Sequence, residues 1–147
     1  MHVSHRTLYI LAALTWYWGV SILLVKGHGL AGNAEDIKPE GGALFISWIG
    51  GVVLGLVKAR YIFFRSARKN LDRISVLIKP RVWQFFKPRF FSQLVLMVML
   101  GATLSRSAQG NYPFLISVAI LDISIGTALL ASSWEFWTRK VIVQANR

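Results

Sequence analysis

Few residues in this chain could do chemistry. Its carboxylates are six, Glu35, Asp36, Glu40, Asp72, Asp122 and Glu135, and no activated nucleophile, catalytic carboxylate pair or metal-ligand cluster emerges from the pattern. His2 and His5 stand three apart with no further ligand nearby, which reads as a solvated terminus. His28 with Glu35, Asp36 and Glu40 could hold a cation, but the set lacks two- or four-residue ligand spacing on a predicted element. The absence of cysteine excludes disulfides, thiolate nucleophiles and cysteine-bound metals. Neither a metal nor a cofactor is expected, and the chain reads as a non-enzyme.

Asp122 is the exception that needs a reason, because it falls near the middle of an apolar run. A charged carboxylate at the centre of a membrane helix costs on the order of 2.5–3.5 kcal/mol. Ala119, Asp122, Gly126 and Ser133 share roughly one helix face, so the side chain is expected to point into a bundle and away from lipid. Two roles follow. One is a proton or cation site in a small channel or transporter subunit. The other is a protonated acid, without a basic partner, hydrogen-bonded to Thr15, Tyr17 or Ser47 and fixing helix register.

The elements that must position these residues are apolar. The 147 residues are 54% hydrophobic with a mean hydropathy of +0.50. Only 16% are charged, against about 25% in soluble domains. Four apolar runs, 7–25, 41–57, 90–105 and 113–134, predict an all-α polytopic membrane protein with four transmembrane helices joined as two hairpins. Between the first two runs, Gly27, Gly29, Gly32, Asn33 and Pro39 predict a loop. In the second run Ser47, Gly51 and Gly55 recur every four positions, a small-residue seam for close helix packing within the molecule.

Nearly all the charge lies in one segment. Residues 58–89 carry ten basic side chains against the single acid Asp72, a net +9 of the chain's formal +11. Phe64, Ala67, Leu71, Ile74 and Ile78 form an apolar helical stripe. It predicts an amphipathic helix, resting on the headgroup boundary or on another cytoplasmic segment. Beyond it, Lys79-Pro80-Arg81 is echoed by Lys87-Pro88-Arg89, interleaved with Trp83, Phe85, Phe86, Phe90 and Phe91, the composition of a membrane-interface segment. Lys and Arg resist translocation, which places this segment and both termini on the cytoplasmic side.

The runs Gly55-Leu-Val-Lys-Ala-Arg-Tyr, Arg65-Ser-Ala-Arg-Lys-Asn-Leu-Asp-Arg-Ile and Lys79-Pro-Arg-Val-Trp-Gln-Phe-Phe-Lys-Pro-Arg-Phe-Phe resemble uncharacterised small bacterial four-helix membrane proteins with a basic cytoplasmic loop. That resemblance centres on residues 51–91, implies bacterial origin and a multi-pass place in the inner membrane, and carries no activity with it. The expected function is binding of anionic lipid headgroups, or of another membrane protein or a second copy, through Arg65, Arg68, Lys69, Arg73, Lys79, Arg81, Trp83, Lys87 and Arg89. Nucleic acid is not an expected partner, since a basic loop tethered at a membrane meets headgroups first.

Overall fold

A computed structural model describes residues 5–76, 78–79, 81, 83 and 88–138, and among them the chain is all-helical. Helix α1 spans His5–Ile37, α2 Ala43–Lys58, α3 Phe64–Ser75, α4 Pro88–Ser107 and α5 Tyr112–Ser132. A 3₁₀ turn at Pro39–Gly41 joins α1 to α2, and a π-helical turn at Ala59–Phe63 carries α2 into α3 without a break in the rod. Past Ser133, α5 resumes for one more turn, to Thr138. Three helical stretches, Arg6–Ile37, Pro39–Ser75 and Tyr112–Thr138, are long and apolar enough to cross a membrane, and Val95–Ser107 is a shorter apolar helix.

The expected loop after residue 25 is absent: α1 runs three turns further, to Ile37. Glycine in a helix costs about 1 kcal/mol relative to alanine, but here packing outweighs propensity. Leu30, Ala31 and Ala34 are buried with Ala43, Ala108, Leu115, Val118 and Ala119, and Gly27 lets α5 come close. A Cβ at Gly27 would lie 2.7 Å from Cγ1 of Ile123 and 3.3 Å from the Ala119 carbonyl oxygen. The reversal is confined to a few residues. Gly42 takes φ 60° there, and the Glu35 carboxylate accepts from the Leu44 N–H at 3.1 Å, satisfying a free donor at the start of α2.

Helix α5 lies between α1 and α2, antiparallel to the first and parallel to the second. Its start packs with the end of α1 and the start of α2. Beyond its end, Phe136 joins Leu8, Ala12 and Trp16 of α1 and Ala67, Leu71 and Ile74 of α3 in a second core. The apolar stripe of α3 is therefore consumed inside the protein. Ile78, the last residue of the expected stripe, falls beyond the helix and is 94% exposed. Helix α4 packs lightly on the rest and leaves Val95, Leu96, Val98, Met99 and Leu100 exposed.

Candidate functional site

The continuation of α1 places Lys26 opposite Asp122. Its Nζ is 3.1 Å from Asp122 Oδ2 and donates to the Gly101 carbonyl of α4 at 3.0 Å. One ammonium thus ties three helices together. The carboxylate is buried and the lysine partly so. The expectation of an acid without a basic partner is corrected, because Lys26 stands in helix α1, where the glycines that follow it predict a loop. The hydroxyls expected to bond Asp122 are engaged elsewhere or unengaged. Thr15 donates to Leu11 O, and Tyr17 donates to Ser133 Oγ while accepting from Trp137 Nε1. Ser47 Oγ is buried with no hydrogen-bond partner.

The small-residue seam of α2 faces α5 throughout. Ser47, Gly51 and Gly55 are all buried. A Cβ at Gly51 would meet Ile123 Cγ2 at 2.5 Å, and one at Gly55 would meet the Ser124 carbonyl oxygen at 2.6 Å. Gly27 and Gly51 thus hold Ile123 from two sides, one turn of contact that sets the spacing of all three helices. Below it Lys58 Nζ donates to Ser124 Oγ at 3.0 Å.

At the other end of the molecule, burial of Ala67, Leu71 and Ile74 turns the polar face of α3 outward. Arg65, Arg68 and Lys69 are exposed, and Arg73 is half-buried with its guanidinium donating to Asn70 Oδ1. Arg68 is bound internally: Nε and Nη2 both reach Glu135 Oε1, at 3.0 and 2.9 Å. This hydrogen bonding, with the charge of Glu135, raises the Arg68 pKa still further. Glu135 is 7% exposed, a buried acid paired by an outer helix. Lys79, Arg81, Trp83 and Arg89 are exposed, with the Arg81 guanidinium 5.5 Å from the centre of the Trp83 ring. Lys87 lies outside the described residues.

His28 accepts from Trp48 Nε1 at 3.2 Å, and among the described residues no group of three or more His, Asp or Glu could hold a metal ion. Two partners were missed by sequence reasoning. Lys26 was hidden by the glycines around it. Glu135 stands in the sequence only as one of six carboxylates, and nothing local marks it as the partner of Arg68.

No known protein family matches the chain, and neither a curated protein nor a solved structure resembles it significantly.

Proposed function

We propose that this is a multi-pass protein of a bacterial inner membrane, with α4 as a further crossing and both termini cytoplasmic, that binds anionic lipid headgroups through the outer face of α3 and the segment following it. The observation that carries this reading is the consumption of the apolar stripe of α3 by α1 and Phe136. A helix held by its apolar side cannot roll, so Arg65 and Lys69 are fixed facing outward at one end of the bundle. Each Lys or Arg near an anionic surface contributes about 1 kcal/mol, screened over about 8 Å at physiological salt. The exposed pairing of Arg81 with Trp83 adds a cation beside an aromatic ring, the combination suited to headgroup depth.

The rival, a channel or transporter subunit working through Asp122, has less to work with. Its carboxylate is engaged by Lys26, which gives it a structural task without transport.

The test is lipid retention by the purified full-length protein. Phosphatidylglycerol should be enriched over phosphatidylcholine in the co-purified lipid, and Arg65→Gln with Lys69→Gln should reduce that enrichment. Unchanged enrichment in the double variant sinks the reading. If a membrane protein co-purifies instead, in a manner that depends on the same two residues, partner binding replaces it.

A further inference from the structure

Hydropathy of the chain and packing of the bundle point to different depths for a bilayer. The longest uncharged stretch of α1 is its first half, residues 7–25, and Lys26 follows it. Yet Leu8, Ala12 and Trp16 pack on Ala67, Leu71 and Ile74 of α3, so the first turns of α1 lie at the same level as a helix whose outward face carries Arg65, Arg68, Lys69 and Asp72. All four are exposed. A helix face with four charges cannot sit against hydrocarbon, so whatever lies beside it along the bundle axis is outside the hydrocarbon too.

The exposed aromatic residues mark the boundary independently. Tyr17 bonds Ser133, and Trp137 bonds Tyr17, so these residues share one level. Around that level Trp18, Trp134 and Trp137 stand exposed at 72%, 67% and 52%. The parallel packing of α2 on α5, Gly51 at Ile123 and Gly55 at Thr127, puts Tyr61 at the same level, 68% exposed. Towards the other end Phe45 is exposed and Trp48 and Tyr112 are half-exposed. From Tyr61 to Phe45 is about 24 Å of helix and from Trp134 to Tyr112 about 33 Å, which brackets the ~30 Å of a hydrocarbon core. Rings of Trp and Tyr at that separation are the pattern of interfacial belts.

We infer that the bilayer meets the protein at these two aromatic rings, so that α1 crosses with residues 18–37 and its first turns stand with α3 in a helical cap at and beyond the headgroups. This rests on the membrane reading proposed above. Residues 18–37 supply about 20 residues, the ~30 Å a crossing needs. The same placement puts Lys26 about 12 Å from Trp18 and about 16 Å from Ile37 along the helix. The Lys26 and Asp122 pair therefore lies near the midplane, where water is scarcest and each charge most needs the other. It also gives the cationic face of α3 a rigid base at headgroup depth, with the first turns of α1 as its backing.

The chain's lack of cysteine makes the test direct. Leu14→Cys, Ile22→Cys and Val25→Cys each replace an exposed side chain, so the fold tolerates them, and Gln109→Cys, exposed in the turn between α4 and α5, is the reference. The full-length protein is reconstituted into vesicles of phosphatidylcholine and phosphatidylglycerol, permeabilised so that both sides are reached, and treated with a charged maleimide. Leu14→Cys should label at a rate near that of Gln109→Cys. Ile22→Cys and Val25→Cys should label about tenfold more slowly or less, since a thiol in hydrocarbon forms no thiolate. Protection of Leu14→Cys equal to that of Ile22→Cys overturns the placement and restores a crossing at 7–25, with the membrane reading intact. Rapid labelling at all four positions overturns the placement and the membrane reading together.

Discussion

Lys26 and Asp122 meet across α1 and α5 with Nζ 3.1 Å from Oδ2, one residue from the point where Gly27 of the first helix closes on Ile123 of the second. Ion pair and close packing thus occupy one level. The approach of the two backbones brings the lysine to the carboxylate, and the second bond, from Nζ to the Gly101 carbonyl, extends the junction to α4. Removing the lysine leaves a buried carboxylate, and removing the carboxylate leaves a partly buried ammonium.

Unpaired buried charges are costly, typically about 3–5 kcal/mol when one member of a pair is lost. Lys26→Met and Asp122→Asn should each lower the melting temperature in detergent markedly. Asp122→Asn is close to the parent in shape, so its cost measures the stranded ammonium. Combining Lys26→Met with Asp122→Asn should recover most of the loss. If Asp122→Asn alone melts with the parent, the two residues are not an ion pair in the folded protein.

The two seam glycines differ in what opposes them. At Gly51 an added methyl meets Cγ2 and Cβ of Ile123, of which a shorter side chain removes the first, whereas at Gly55 it meets the carbonyl oxygen of Ser124 and Cβ of Thr127. Gly51→Ala should destabilise and be relieved only in part by Ile123→Ala, which removes Cγ2 but keeps the Cβ at 2.6 Å, while the lost isoleucine costs ~2–5 kcal/mol by itself. Gly55→Ala should find no relief in that change. Melting temperatures of the singles and doubles, read as a double-mutant cycle, separate the cases. Equal coupling of Ile123→Ala to both glycine variants would contradict the packing.

Arg68 and Glu135 are unequal partners. The arginine side chain is 59% exposed and the glutamate 10%, so Arg68→Gln takes the cation from a buried carboxylate while Glu135→Gln leaves a cation that water can reach. Arg68→Gln should therefore be the more destabilising of the two. The sign of the pH effect follows from the raised guanidinium. A base whose folded pKa is raised contributes stability below its unfolded pKa, and for Arg68 that contribution is lost only far above neutrality. The difference between Arg68→Gln and parent should hold constant from about pH 7 to pH 9, as checked by thermal melts across that range.

How far the sequence reveals all this depends on the range of each interaction. The seam at Ser47, Gly51 and Gly55 is legible because its period is carried by neighbouring turns of one helix, and the apolar stripe of α3 is legible for the same reason. The partner Ile123 has no such signature, being one more branched residue in an apolar run. Lys26 was misplaced because Gly27, Gly29 and Gly32 predict a break on local propensity, while helix formation there is decided by Leu30, Ala31 and Ala34 packing on residues about 80 positions away. Hydropathy ranks residues 7–25 by their own composition, whereas their contact with charged α3 is made across the fold and leaves no local trace in the sequence.

The remaining prediction asks whether the charges of α3 act on lipid through their net field. Arg65 and Lys69 are exposed, whereas Arg68 is opposed within the protein by Glu135. Removing both members of that pair leaves the local net charge unchanged, but removing Arg65 and Lys69 lowers it by two. At about 1 kcal/mol per charge near an anionic surface, Arg65→Gln with Lys69→Gln should weaken phosphatidylglycerol binding by about 2 kcal/mol, roughly 30-fold, at low salt. The effect should shrink as salt shortens the screening length. Arg68→Gln with Glu135→Gln should bind as the parent does at every salt concentration, provided circular dichroism shows its helices intact. Titration of the full-length protein in mixed micelles, followed by its tryptophan fluorescence, reads both. If the neutral pair variant loses as much affinity as the double charge variant, Arg68 binds lipid by direct contact and its bond to Glu135 is surrendered on binding. If neither changes affinity, the cations of α3 serve orientation in the membrane alone.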